Sequence, residues 1–242
     1  MSDKIETWYN VPMNTYLSCI PCFFNQVIHS GKLIGLDQKE LKIIMDAIGD
    51  ELKRFSLDNS PPKMAALMQH LFTELSGNPD PYKQVKQESN AQALRSIDKM
   101  RAIVASSHHP LLRAVELSCA GNIIDFGAFP SGVDVEREIS VIMEEQESSR
   151  KKKERSHFEL DSFEQAIATA ERILYVGDNA GEIVFDRILI EHIRSLYGDK
   201  KSIYFATRGK PILNDVLIED ALAVGMDKVA TIISSGVSSP GL

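Results

Sequence analysis

From about residue 10 to about 148 the apolar positions return every three or four residues, the period of an α-helix packed on one face. Asp37 with Glu40 forms a capping-box pattern ahead of Leu41, Ile44, Ile48, Leu52 and Phe55, which share one helical face. After "LDNSPPK", Met64, Leu67, Met68, Leu71 and Leu75 repeat the period up to Gly77, a residue suited to a left-handed stop. "NPDPY" breaks the chain, and Leu94, Ile97, Met100, Arg101 and Val104 predict a longer helix with a partly polar back. Residues 111–120 predict another that ends at Gly121. "GNIIDFGAFPSG" is short, apolar and bounded by glycine, which predicts a buried connector whose Asn122 and Asp125 need partners. "VDVEREISVIMEEQ" is again helical.

From residue 160 the pattern changes. A helix through Phe163, Ala166, Ile167 and Ala170 leads to "RILYVG", then a helix over 181–196, "SIYFAT", a helix over 213–223, and "VATIIS". Short continuous apolar strands separated by amphipathic helices predict a parallel sheet with both faces covered. The fold class is therefore α/β, with a helical region over 1–155 and an α/β domain over 156–242. The charge-rich "SSRKKKERSH" marks the boundary.

Composition narrows the setting. Lys and Arg number 27 against 34 Asp and Glu, a net charge of -7, which argues against a broad nucleic-acid surface. The basic run Lys151 to Arg155 is flanked by "EEQE" and reads as solvated. No stretch of about 18 apolar residues occurs, and "MSDKIETWYN" lacks a basic segment followed by an apolar one, so neither a membrane span nor a leader is expected and the default location is the cytoplasm. Three cysteines, an odd number, agree with a reducing compartment. The oligomeric state is not legible.

Candidate chemistry gathers at the strand ends, where ligands of open parallel sheets sit. The first strand stops on "GDNAG", the second on "ATRGKPILND", the third on "SSGVSSPG". Asp178, Asn179 and Asp215 are oxygen donors suited to a hard divalent cation, magnesium or manganese first. The amides of the following helix, reached through Ala180 and Gly181, favour an anion in the same place. Two readings compete here, because Asp and Asn before Gly also make ordinary turns and helix caps. Asp215, at the equivalent edge of the next strand, favours the metal. Glu182 is accounted for by the helix dipole, and Asp186 reads as a surface or supporting carboxylate. Arg208 and Lys210 either neutralise a substrate phosphate, the first as a fork and the second as a point charge, or are exposed loop charges. No "GxGxxG", Walker lysine motif, "GxSxG" or "HExxH" is present.

"CIPC" at 19–22 has the spacing of half a zinc site or of a redox pair, but no second pair follows and its neighbours read as helical, which favours packed thiols. His108, His109 and Cys119 are the available complement, although adjacent histidines before Pro110 more often mark a loop.

Taken together, "CIPCFFNQ", "GNIIDFGA", "GDNAGEIVFD", "RGKPILND" and "SSGVSSPG" resemble, in order and spacing over 19–240, the metal-dependent damage-control phosphatases long filed as domain of unknown function 89. The paired cysteines resemble those of the prokaryotic subgroup. The resemblance implies a Rossmann-like sheet with flanking helices, and a phosphatase acting on small, often damaged or surplus, phosphometabolites such as sugar phosphates. It implies a divalent metal, manganese, magnesium, cobalt or nickel, on Asp178, Asn179 and Asp215. It also places Asn122 and Asp125 near the site, with Ser235 and Gly236, or Lys210, holding substrate. Beside the resemblance, the helix start at Gly181 is a candidate for holding the substrate's phosphate, and Asp125 is the nearby carboxylate assigned to orient the attacking water. Family members continue past the "SSPG" turn with a helix and a strand ending in a "KGQGN"-like motif. A chain ending at Leu242 is thus expected to lack that strand and to leave an unprotected sheet edge. The rival from another class is a non-catalytic metabolite- or nucleotide-binding α/β module. A methyltransferase is a more distant alternative, because "VGDNAG" superficially resembles a cofactor-binding turn.

Overall fold

The structure, a computed structural model, describes residues 13–123, 137, 139–144 and 159–237. The chain divides into two compact units, one of residues 1–82, 211–213 and 237–242, the other of 83–210 and 214–236. The boundary expected at 155/156 lies outside the described residues.

The first unit is built on three helices, α1 (Cys19–Leu33), α2 (Gln38–Leu52) and α3 (Pro61–Ser76). The Asp37 carboxylate accepts the amides of Lys39 and Glu40 at 2.7 and 2.9 Å, and the Glu40 carboxylate accepts the Asp37 amide at 2.8 Å, so the capping box is closed. Phe23 and Val27 of α1, Ile44 and Ile48 of α2, and Met64 and Phe72 of α3 make its core. Gly77 stops α3 at φ 67°. Leu75, predicted on the buried face, is exposed; Phe72 takes that role. Cys19 and Cys22 lie in the first turn of α1, and neither they nor Cys119 are in a disulfide.

The second unit contains α4 (Lys83–Ala105), α5 (Pro110–Ile123), α6 (Leu160–Thr169), β1 (Arg172–Val176), α7 (Ile183–Tyr197), β2 (Ser202–Thr207), α8 (Ile218–Ala223) and β3 (Thr231–Ser234). The three strands are parallel in the order β1-β2-β3, which establishes the α/β class and the small parallel sheet. Helix α7 is buried over its first two turns, where Arg187 alone among residues 183–190 keeps some exposure, and α4 and α5 pack against it while it covers one face of the sheet. Ile173, Tyr175, Ile203 and Phe205 fill that face by strand alternation. The opposite face departs from the expectation of full cover, since Leu174, Val176 and Ile233 are exposed on it.

Three helix bounds also differ from the sequence pattern. Helix α4 starts at Lys83, directly after a turn at Pro81 and Tyr82, and Lys86 and Asn90 are buried on its inner face. Helix α5 runs through Gly121 to Ile123, where the missing side chain permits close packing on Phe185. Asn122 is therefore an exposed helix-end residue, whereas Asp125 lies outside the described residues. The last helix begins at Ile218 and not at 213, because residues 214–216 are held extended in a pairing with the loop after β1. Among the described residues no helix is long and apolar enough to cross a membrane.

A Cβ at Gly121 would lie 2.6 Å from Phe185 Cδ2, and Phe185 is fully buried and cannot swing away. Gly49, in mid-α2, has nothing within 4 Å of that position. We expect Gly121→Val to destabilise by about 1–3 kcal/mol through overpacking, and Gly49→Ala to stabilise by roughly 0.5–1 kcal/mol through helix propensity. Urea unfolding of both variants checks the pair; a neutral Gly121→Val removes the close-packing account.

Candidate functional site

Strand β1 ends where Gly177 must: a Cβ there would fall 2.4 Å from Phe205 Cζ, so the position admits no side chain, and its amide still donates to Ala206 O at 3.0 Å. The chain then leaves the sheet at Asp178 and Asn179. The loop after β2 comes back to meet it. Asn179 and Asp215 form an isolated antiparallel bridge, in which the Ala180 amide donates to Asn214 O at 3.0 Å and the Val216 amide to Asp178 O at 2.8 Å. The Arg208 amide also donates to Val216 O at 3.0 Å, closing the loop on itself. This pairing keeps residues 214–216 extended and delays α8 to Ile218. Just before the bridge Leu213 adopts φ 46°, a left-handed conformation rarely taken by a residue of its shape. Asp178, Asn179 and Asp215 are thus brought to one rim by main-chain hydrogen bonds.

The side chains around this bridge are unevenly charged. Arg208 is 5% exposed; its Nε donates to Asp215 Oδ2 at 2.6 Å, and its Nη2 lies 3.8 Å from Asp178 Oδ1. Its Nη1 is buried and has no hydrogen-bond partner among the described residues. Asp178 is about half exposed, whereas Asp215 is buried, and burial pushes the Asp215 carboxyl up to about 6 against the opposing pull of Arg208. Asn179 Nδ2 donates to Glu182 Oε2 at 3.4 Å, and Asn122 Nδ2 donates to Glu182 Oε1 at 3.0 Å. Glu182 is itself buried, and burial raises its pKa above the usual carboxylate range, with the Asp178 charge adding to the effect.

One turn further along α7, Asp186 is 1% exposed. Ser118 Oγ and Tyr175 Oη each donate to its Oδ1 at 2.6 Å, while its Oδ2 is buried without a partner among the described residues. Burial first, and the charge on Glu182 second, push this carboxyl up to about 7. Of the two readings of Asp186, surface or supporting carboxylate, the surface one is corrected, because the first two turns of α7 are buried. Behind the rim Lys86 pairs with Asp220 at 3.0 Å, both buried, and Asp220 also accepts the Leu217 amide that opens α8.

The remaining expected residues fall as follows. The Gly181 amide, at φ 89°, donates to Asn90 Oδ1 at 2.7 Å, and the Ala180 amide is taken by Asn214, so in this structure neither of these amides faces an anion. Lys210 is exposed. Ser235 follows β3 with its amide donated to Thr207 O, and Gly236 backs so closely on Gly209 that a Cβ on the latter would lie 2.8 Å from Gly236 carbonyl carbon. All three strand-end loops therefore converge. Among the described residues no three His, Cys, Asp or Glu side chains form a metal-holding cluster. Asp178, Asn179 and Asp215 are a different donor set, two carboxylates and a carboxamide, whose hard oxygens suit a divalent cation such as magnesium or manganese. The charge balance agrees with that fit, since Asp178, Glu182, Asp186 and Asp215 stand together and burial and mutual repulsion raise the proton affinity of the last three.

A profile of the damage-control phosphatase ARMT1-like domain family matches residues 15–242, and the chain belongs to that family. An uncharacterized protein of Methanocaldococcus jannaschii is 32% identical over 230 residues, covering 93% of this chain and 72% of that protein. A damage-control phosphatase of Pyrococcus horikoshii is 30% identical over 233 residues, 95% of this chain and 76% of the relative. The crystal structure of a domain-of-unknown-function-89 family protein from the same organism superposes with a TM-score of 0.79 at 27% identity, over 95% of this chain and 76% of that one.

Sequence reasoning passed over Ser118, Tyr175 and Asn90, and it treated Glu182 as a dipole effect. A partial signal was present: Asp186 sits between the apolar residues Ile183 to Phe185 and Ile188 to Ile190, so a carboxylate in that stretch is one that burial would oblige to find hydrogen-bond donors.

Asp186 generates a pH test. The folded chain keeps its proton to about pH 7, whereas the unfolded chain releases it near 3.8, so the folded state binds the extra proton and stability falls as pH rises between those values. The groups facing it are Tyr175 and Ser118 by contact, with Glu182 and Asp178 acting through charge. We expect wild-type protein to lose on the order of 1–2 kcal/mol from this group between pH 5.5 and 8. Asp186→Asn, which cannot ionise, should flatten that part of the slope in urea titrations at the two pH values; identical slopes would show that Asp186 does not titrate there.

Proposed function

We propose that this chain is a phosphatase with a house-cleaning role, hydrolysing the monoesters of small phosphorylated metabolites such as sugar phosphates, with a divalent cation held by Asp178, Asn179 and Asp215. The bridge that joins the 178–180 and 214–216 segments carries the reading, because it presents three oxygen-bearing side chains at the carboxyl ends of adjacent parallel strands. Membership of the damage-control phosphatase family and the likeness to the Pyrococcus horikoshii phosphatase support it. Manganese, magnesium, cobalt and nickel all suit an oxygen set of this kind; once bound, such an ion would polarise a phosphoryl oxygen and make water more acidic.

The chain's own residues have distinct tasks. Glu182, anchored by Asn122, takes the amide hydrogens of Asn179 and so turns the carbonyl oxygen of that side chain toward the rim. Arg208 fixes the Asp215 carboxylate through a charged hydrogen bond. The exposed Lys210 brings a mobile positive charge to the substrate phosphate, and Ser235 and Gly236 line its approach. Gly181, whose amide is held by Asn90, fixes the turn beneath it. Asp125 is the residue we assign to water orientation, by its place in the motif. The substrate is a small soluble metabolite rather than nucleic acid, consistent with the net charge of -7, and the cytoplasm is the proposed setting.

Release of inorganic phosphate from a panel of sugar and other metabolite phosphates, with and without each of the four metals, tests the proposal. Metabolite binding without any metal-supported release would favour the non-catalytic binding module instead. Asp178→Ala should lower release by roughly 100-fold or more, while its half-exposed position keeps the melting temperature within about 2 °C of wild type. Parallel loss of stability and activity would return the "GDNAG" turn to a structural cap.

A further inference from the structure

The guanidinium of Arg208 is placed unlike any other charged group at the rim. It is 5% exposed, its backbone is tied to Val216, its Nε is bound to Asp215, and its Nη2 faces Asp178 at 3.8 Å. Two of its three nitrogens are thereby oriented by the carboxylates of the candidate cation site. The third, Nη1, is buried and has no acceptor among the described residues. A buried guanidinium N–H without an acceptor is costly, and the guanidinium cannot shed its charge to avoid that cost. Such a group is stable where the site itself receives an acceptor that carries negative charge. Lys210, two residues on, is exposed, so it lacks this directed geometry.

We infer that Arg208 is a phosphate-binding residue of this site, with Nη1 donating to a non-bridging oxygen of the substrate's phosphoryl group and of the product phosphate while Nε keeps Asp215 in place. The inference rests on the phosphatase reading above and sharpens it. Because Nε is hydrogen-bonded to Asp215 and Nη2 faces Asp178, the guanidinium is held beside the oxygen ligands proposed for the cation. The ligand class that satisfies Nη1 is a tetrahedral oxyanion carrying at least one full negative charge, and a neutral sugar does not meet that need. Arg208 also has a double dependence, in that an anion supplies the countercharge it lacks whenever a bound cation draws on Asp178 and Asp215.

The probe is inorganic phosphate, titrated by calorimetry into manganese-saturated wild-type chain, Arg208→Lys and Arg208→Gln, with manganese binding and thermal melting measured on each. Lysine retains a single charged donor for Asp215 but has no second nitrogen to reach the anion. We expect Arg208→Lys to bind manganese within about threefold of wild type and phosphate at least about tenfold more weakly, the loss of one charge-assisted hydrogen bond. Arg208→Gln should weaken both. Phosphate affinity unchanged in both variants overturns the inference, as does a loss of phosphate and manganese affinity by the same factor in Arg208→Lys, which would mean that Arg208 acts only through Asp215. Should neither variant fold, a crystal structure of the wild-type chain with phosphate decides: the inference requires an anion oxygen within hydrogen-bonding distance of Nη1, and a phosphate bound elsewhere at the rim excludes it. Failure of the function itself looks different, since wild-type chain would then neither release phosphate from any monoester nor bind it.

Discussion

The candidate site depends on one short piece of main-chain pairing, the antiparallel bridge between Asn179 and Asp215. Two loops that leave parallel neighbouring strands would ordinarily diverge toward the helices that follow them. Here the Ala180 and Val216 amides are exchanged across the loops, which costs α8 its first turns and follows directly on a left-handed Leu213. In return the backbone brings Asp178, Asn179 and Asp215 together, and the Arg208 and Glu182 side chains then orient Asp215 and Asn179. The glycine before Asp178 belongs to the same construction, because only a residue without a Cβ can pass Phe205.

Around that bridge the second constraint is electrostatic. Burial raises the proton affinity of Glu182, Asp186 and Asp215, and in each the neighbouring carboxylates add to the rise. Arg208 offsets part of the charge at Asp215, while Ser118 and Tyr175 hold one oxygen of Asp186. The rim is thereby biased toward negative charge, with Asp178 half exposed at its mouth. Behind it, Lys86 and Asp220 form a closed buried pair that links α4 to the start of α8 and supports the wall on which the bridge rests.

The helical and strand patterns were largely legible because burial of one face imposes its own period. The closed capping box at Asp37, the left-handed stop at Gly77 and the strand Ser202–Thr207 agree with the pattern of the chain. Where the two disagree, a tertiary contact overrides the local preference. Helix α5 continues through Gly121 because Phe185 needs the space, and the helix predicted from 213 is shortened because residues 214–216 pair with 178–180. Leu174, Val176 and Ile233 look like core residues in the sequence and lie on an exposed face, since apolarity states a preference for burial and not what supplies the cover.

For the site, the sequence by itself determined the chemistry of the rim: oxygen donors at the ends of two strands, glycine-rich turns, and basic residues in the loop between them. Residue type and spacing are sufficient for that much, because strand ends of a parallel sheet share one edge. Only the tertiary structure decided the roles of individual groups. Whether Arg208 or Lys210 is buried, whether Asp186 faces solvent or Tyr175, and whether the Gly181 amide is free or held by Asn90 all depend on atoms far apart in sequence. Desolvation and hydrogen bonding act through space, so the charge state and reach of a side chain are settled by its neighbours in the fold and not by those beside it in the chain.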